Sequence, residues 1–256
     1  MAMTLEPTRR DRRRRRRPIS IVGILGEIFI TAGAVVLLFL GWQLFINDKV
    51  VASAQQTEAH ELAQSWDRGE GTAAPAPADR PDPGDPPVPA EPGNAEQFAT
   101  MMIPRFGADY IRPVSEGIGV EDVLNKHGIG HYPGTAMPGA VGNSAYAAHR
   151  TGWGASFFDI DKLQIGDSIY METQDGWYRY VVRSLEFVPA TGVGVIEPVP
   201  QSPGAAPTDR LLTLTSCNPI YTADERFIVY SVYDTWYPRA GGPPAEIAAL
   251  VAQGAG

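Results

Sequence analysis

The stretch from Leu211 to Tyr233, LLTLTSCNPIYTADERFIVYSVY, carries the only cysteine of the chain, Cys217. Leu211-Leu212-Thr213-Leu214-Thr215 is rich in Leu and Thr and reads as a short strand. Asn218-Pro219 ends it, because proline has no N–H to give to a sheet ladder. Glu225 to Tyr233 reads as a second strand. A connection this short predicts a hairpin. Cys217 closes its first strand and Arg226 opens its second, so the two are expected side by side. A thiol and a guanidinium at one strand edge have the chemistry of a nucleophile and an oxyanion donor.

Outward from this hairpin, residues 98–240 have a globular composition and the length of one ordinary domain. Strand-like runs are expected at Gln97–Pro104, Asp109–Val114, Asn143–Ala148, Ser168–Thr173, Trp177–Pro189, Arg210–Ser216 and Arg226–Trp236. Gly166-Asp167 and Asp175-Gly176 are turn signals, the second suited to a tight hairpin. Val120–His127 is the one convincing helical piece. Many short strands with little helix predict a mainly β, closed or sandwich-like fold.

The first 18 residues form a basic tail with eight arginines, Arg9, Arg10 and Arg12 to Arg17. Such a block cannot pack into a core. Residues 19–46 are almost wholly apolar and long enough for a transmembrane helix, which needs about 20 residues. Trp42 is placed for the outer interface and Glu27 for the inner one. Arginines on the N-terminal side predict a cytoplasmic N-terminus and an extracellular remainder. Ala52-Ser53-Ala54 resembles a signal-peptide cleavage site. The apolar run exceeds the usual signal core of about 7–15 residues, which favours an uncleaved anchor.

The whole chain has 21 basic and 29 acidic residues, and only 13 of the basic but 26 of the acidic ones follow residue 47. A domain this acidic is a poor nucleic-acid binder. Residues 47–97 read as a juxtamembrane spacer and a linker. Within them, Gly71–Pro92 carries eight prolines and no aromatic residue. A Pro-rich chain is semi-rigid, at about 3.1 Å per residue when extended, and is expected to hold the domain away from the bilayer. Residues 241–256 contain no second apolar span and read as a flexible tail.

One cysteine in an exported domain cannot form an internal disulfide, so it is either inert and buried or free for a reason. At the ordinary thiol pKa only about 3% is ionised at pH 7. A nearby imidazole raises that fraction or later serves as an acid. Four histidines are present: His60, His127, His131 and His149. His60 lies in the spacer. His127 closes the short helix, where a cation suits the helix end. Spacing leaves His131 and His149 open. No His, Asp or Glu cluster has zinc spacing, no EF-hand loop is present, and no glycine-rich phosphate cradle follows a strand. No metal or cofactor is expected.

Thr213-Leu214-Thr215-Ser216-Cys217 resembles the TLxTC signature of sortases, surface-protein transpeptidases of Gram-positive bacteria. Ser216 stands where the family usually has threonine. Arg226, nine residues on, fits the same pattern. Ala148-His149-Arg150-Thr151 is similar to the Gly-His-Arg-Thr segment of class E and related sortases, with Ala148 in place of glycine. The resemblance implies a closed β-barrel with short helices. It implies Cys217 as nucleophile, His149 as the acid for the leaving amine and Arg226 as the oxyanion donor. Tyr132, in the loop His131–Gly139, is implied as part of the active-site wall, and Thr215 and Ser216 as substrate contacts. The implied reaction cleaves an LAxTG or LPxTG sorting signal between Thr and Gly through a thioacyl enzyme. The implied partners are surface proteins that bear the signal and the amine of a cell-wall precursor, lipid II. Two other readings stay open: a cysteine hydrolase of similar peptides, and a non-catalytic wall-binding module on the same barrel.

Overall fold

The computed structural model describes residues 20–66, 75–77 and 82–253. The expectations for the basic tail 1–18, and for part of the Pro-rich linker, lie outside the described residues. The chain divides into two compact units, 1–43 and 44–256.

The first unit is built on helix α1, Ile21–Phe45, of 25 residues. At 1.5 Å per residue such a helix is about 37 Å long, enough for a hydrocarbon core of about 30 Å. Its apolar side chains are exposed on every side and show no amphipathic stripe. A helix apolar all round suits lipid rather than a one-sided protein surface.

The second unit begins with helix α2, Asn47–Trp66. Then come β1 (Gln97–Met102), β2 (Ile111–Glu116) and a π-turn at Val120–Leu124 that runs into α3 (Asn125–His127). Next are β3 (Ile129–His131), β4 (Gly142–Ala148), β5 (Ser168–Thr173) and β6 (Gly176–Pro189). The chain closes with β7 (Arg210–Asn218), β8 (Glu225–Pro238) and α4 (Ala248–Gln253). The eight strands form a closed barrel in the order β1-β2-β3-β4-β7-β8-β6-β5, as the sequence predicted in outline. Closure leaves no unpaired sheet edge. Two pairs are parallel, β2 with β3 and β4 with β7, and the others are antiparallel.

Strand alternation sorts the side chains. Leu212 and Leu214 of β7 and Phe227 and Val229 of β8 point into the barrel. They meet Tyr146, Phe157, Tyr178 and Tyr180 there, all fully buried. A second cluster lies on the outer side of β1, β2, β5 and β6, where Met102, Ile111, Tyr170 and Trp177 pack with Ala59 of α2 and with Ile247 and Leu250.

Three expectations are corrected. Residues 47–66 are not a free spacer: α2 packs on the barrel through Gln55 and Ala59. The sequence hid this because the buried stripe uses Gln and Ala instead of large apolar residues. The described linker residues are not a free linker: they line the barrel. Ala76 N–H donates to the Pro243 carbonyl (2.8 Å), and Trp236 Nε1–H to that of Gly84 (3.1 Å). Tyr178 donates to Pro87 (2.9 Å), and Arg210 pairs with Asp85 (2.9 Å). Residues 241–253 are not a flexible tail, since Ile247 and Leu250 are buried and α4 is formed. Short β3 was also not anticipated.

Leu250→Ala should therefore destabilise the second unit by about 2–4 kcal/mol, as for other buried Leu→Ala changes. For a unit of this size the melting temperature should fall by roughly 5–10 °C. Calorimetry that showed an unchanged melting temperature would mean that α4 does not dock.

Candidate active site

β7 and β8 pair in register, and Cys217 stands directly opposite Arg226. Residues opposed across an antiparallel pair place their side chains on the same face, with Cβ atoms about 4.5–5.5 Å apart. Leu212 and Leu214 face inward, so Thr213, Thr215 and Cys217 face outward by the two-residue period of a strand. Cys217 is a free thiol and half-buried. The Arg226 guanidinium is anchored at the rim: its Nη1 donates to the carbonyls of Ala223 and Glu225, both at 2.9 Å.

β4 runs parallel to β7 with Ala147 level with Thr215. Their C-terminal ends therefore reach the same rim. His149 lies two residues beyond Ala147, as Cys217 lies two beyond Thr215. The Ser216 hydroxyl, buried on the opposite face from Cys217, donates to the Ala148 carbonyl at 2.9 Å. It staples the end of β4, next to His149, to the strand that carries the thiol. Ser216, expected as a substrate contact, is turned inward and its hydroxyl is committed to β4.

His149 is half-buried, and its Nε2–H donates to Asn125 Oδ1 at 2.9 Å. Burial lowers its pKa below the ordinary imidazole value, and the Asp48 carboxylate opposes that shift. The next residue, Arg150, is 4% exposed. Its Nη1 donates to Asn218 Oδ1 at 2.5 Å, and its Nη2 pairs with Asp161 at 2.9 Å. The guanidinium also lies over the Phe227 ring, 5.8 Å from its centre. Arg150 thus ties the chain after His149 to the end of β7.

The other histidines are occupied elsewhere. His127 Nδ1 meets Glu58 and Gln97, each at 2.9 Å. His131 is fully buried, with Nδ1 against Glu116 Oε2 at 2.7 Å and Nε2 beside Thr135 Oγ1 (2.9 Å) and the Ala136 carbonyl (3.1 Å). These contacts make His131 a pin inside the β3–β4 connection. His60 lies on α2. Tyr132 follows the pin. Its hydroxyl meets Thr215 Oγ1 at 2.9 Å, and Thr215 in turn donates to the Tyr146 carbonyl at 3.2 Å. The structure therefore brings Tyr132 and Thr215 together on the face that bears Cys217. Among the described residues no three His, Cys, Asp or Glu side chains gather as a metal site.

Sequence reasoning passed over Asn125, Asp48 and the anchoring contacts of Arg150. Arg150 was visible as a member of the Ala-His-Arg-Thr segment. Nothing in the local sequence distinguishes Asn125 or Asp48.

Ser216→Ala should remove the staple, a buried hydrogen bond to the Ala148 carbonyl. The net loss of one such bond is about 0.5–1.5 kcal/mol. Denaturant unfolding should register that loss, and wild-type stability in Ser216→Ala would show that the hydroxyl carries no load.

Residues 101–234 match the sortase domain family. Sortase SrtE1 of Streptomyces coelicolor is 36% identical over 245 residues, which take in 92% of this chain and 64% of that relative. The chain thus spans just under two thirds of that relative's length. Among solved structures, the SrtA sortase from Actinomyces oris superposes with a TM-score of 0.61 at 38% identity, covering 64% of this chain and 94% of that one. Sortase E1 from Streptomyces coelicolor, crystallised with a tripeptide in the active site, gives 0.55 at 36% identity, covering 60% of this chain and 97% of that one. The matched segment takes in Tyr132, His149, Cys217 and Arg226, and the chain belongs to the sortase family.

Proposed function

We propose that this chain is a membrane-anchored, class E-like cysteine transpeptidase. The observation that carries the reading is the meeting of three strand ends at one rim: Cys217 opposite Arg226, with the end of β4 stapled beside them. The substrate is a peptide sorting signal of the LAxTG or LPxTG type. A related enzyme crystallised with a tripeptide in its active site supports a peptide as occupant.

The Cys217 thiolate attacks the threonine carbonyl carbon of the signal. A C–S bond forms and the carbonyl oxygen takes up negative charge. Arg226 holds that oxygen with a guanidinium that needs no change of protonation. The C–N bond to glycine then breaks, and His149 gives a proton to the leaving amine. In the second half an amine of the cell-wall precursor lipid II attacks the thioacyl carbon. It returns a proton to His149, and the C–S bond breaks to restore the thiolate. Two attacks at one carbon need only one nucleophilic side chain. A lowered pKa makes His149 the stronger acid but leaves less of it protonated at neutral pH, a balance set by burial against Asp48. Tyr132 and Thr215, joined by their hydroxyls, form the wall against which the signal lies.

Helix α1 supplies the anchor. The arginines that precede it keep the N-terminus in the cytoplasm, and the barrel lies outside.

The chemistry is tested on one sorting peptide with the full-length chain. Cys217→Ala should abolish cleavage while leaving the fold intact, because the residue sits at a strand end. His149→Ala should nearly stop thioacyl formation. Arg226→Lys keeps the charge but loses the planar fork, and should cost on the order of 10²-fold in turnover. Cleavage by Cys217→Ala at the wild-type rate would remove the mechanism. Products formed with and without an added amine separate transpeptidation from hydrolysis.

Topology has its own measurement. Protease added to intact protoplasts should digest residues 98–240 and spare the N-terminal tail. Protection of the catalytic unit would reverse the orientation.

A further inference from the structure

Helix α2 grips both segments that flank His149. On one side lies the helical piece Val120–His127, which supplies Asn125 to the imidazole. Gln55 Nε2–H donates to the Lys126 carbonyl in that piece at 3.3 Å, and Glu58 meets His127 at 2.9 Å. On the other side lies the loop that follows His149. Asp48 Oδ2 accepts the Gly152 N–H at 3.0 Å. Gln55 Nε2–H also donates to the Trp153 carbonyl at 3.1 Å, and Gln55 Oε1 accepts the Ser156 hydroxyl at 3.3 Å. Gln55 is 1% exposed, so its own amide is shielded from water and relies on these partners.

The loop needs holding. Gly152, Trp153, Gly154 and Ala155 all have positive φ, at 76°, 54°, 86° and 45°. Trp153 and Ala155 adopt this left-handed backbone without being glycine, and such backbone persists only where its surroundings over-determine it. Helix α2 is that surrounding. A Cβ at Gly154 would come within 2.5 Å of Gln55 Oε1 and 3.2 Å of the Ala52 nitrogen.

We propose that the juxtamembrane helix α2 is a positioning element of the active site, in which Gln55 and Asp48 place the His149 imidazole by holding the Asn125 segment and the left-handed loop together. The inference rests on the reading of His149 as the acid for the leaving amine. The Asp48 carboxylate also favours the imidazolium that burial disfavours.

The test compares the single-turnover rate of thioacyl formation from two substrates with the same acyl peptide, using the whole chain in detergent, because His149 also takes a proton when the thioacyl enzyme is resolved. One is the ordinary amide, whose leaving amine needs a proton. The other is a thioester, whose thiolate leaves without one. Loss of His149 placement slows the amide alone, whereas damage to the barrel slows both. Asp48→Ala should lower the rate of thioacyl formation from the amide about 10-fold, and Gln55→Ala about 10²-fold, the scale of a misplacement near 1 Å. The half-saturating peptide concentration, and thioacyl formation from the thioester, should stay within about two-fold. Asp48→Asn keeps an acceptor for the Gly152 N–H and should recover most of the amide rate. If Gln55→Ala fails to fold, Asp48→Ala carries the test. Equal losses on both substrates, or no loss on either, would overturn the positioning role. His149→Ala run in parallel should lose thioacyl formation from the amide and keep it from the thioester. If it does so while the α2 variants do not, the acid stands and the inference about α2 falls. If His149→Ala cleaves the amide normally, both fall.

Discussion

The parallel pairing of β4 with β7 is the constraint on which the site depends. An antiparallel pair delivers the end of one strand beside the start of the next. A parallel pair delivers two ends to the same rim. The barrel uses one of each around β7. Cys217 is the last residue but one of β7, His149 follows the end of β4, and Arg226 is the second residue of β8, so residues far apart in sequence come to one rim. At that rim the ladder of β7 with β4 stops at Thr215, while its ladder with β8 continues through Asn218.

Alternation along β7 then divides the work. Leu212, Leu214 and Ser216 face a core packed with tyrosines and aliphatic side chains. Thr213, Thr215 and Cys217 face outward. The thiol is therefore kept out of a close-packed interior that has no place for a peptide, yet is only one residue from the hydroxyl that binds β4. Arg150 adds a second tie on the same rim through Asn218 and Asp161. The residue after the proposed acid and the residue after the proposed nucleophile are thus joined by a charge-assisted bond, which is stronger and more directional than a neutral one. Mobility in either strand end would be shared by both.

Much of this architecture was legible in the sequence because strands announce themselves by composition and by the turns between them. Seven of the eight strands and the β7–β8 hairpin follow from runs of β-branched and aromatic residues bounded by Gly, Pro and Asp. β3 escaped because Ile129-Gly130-His131 is three residues long and holds a glycine. The inward turn of Ser216 was implicit in the two-residue period and was overlooked because motif membership suggested a substrate contact. Among the histidines, local spacing had no means of excluding His131. Its exclusion comes from Glu116, Thr135 and Ala136, partners that only the folded chain assembles. The docking of α2 was invisible for a physical reason: its buried stripe is Gln55 and Ala59, which composition cannot tell from a solvated helix.

That polar stripe follows from what it packs against. Elsewhere the barrel's outer surface offers Met102, Ile111 and Trp177, and the C-terminal segment answers with Ile247 and, in α4, Leu250. Near His149 the barrel offers irregular backbone instead. The carbonyls of Lys126 and Trp153 belong to a short helical end and a left-handed loop, and neither is paired in a sheet ladder. Carbonyls at such a partly buried junction need donors. A leucine at position 55 would bury more apolar area but leave both without partners, and the cost of an unsatisfied buried group rivals the gain. A glutamine amide gives one N–H to each and still accepts the Ser156 hydroxyl. The same feature that concealed α2 in the sequence is what allows a helix adjoining the apolar segment to hold the backbone around the active site.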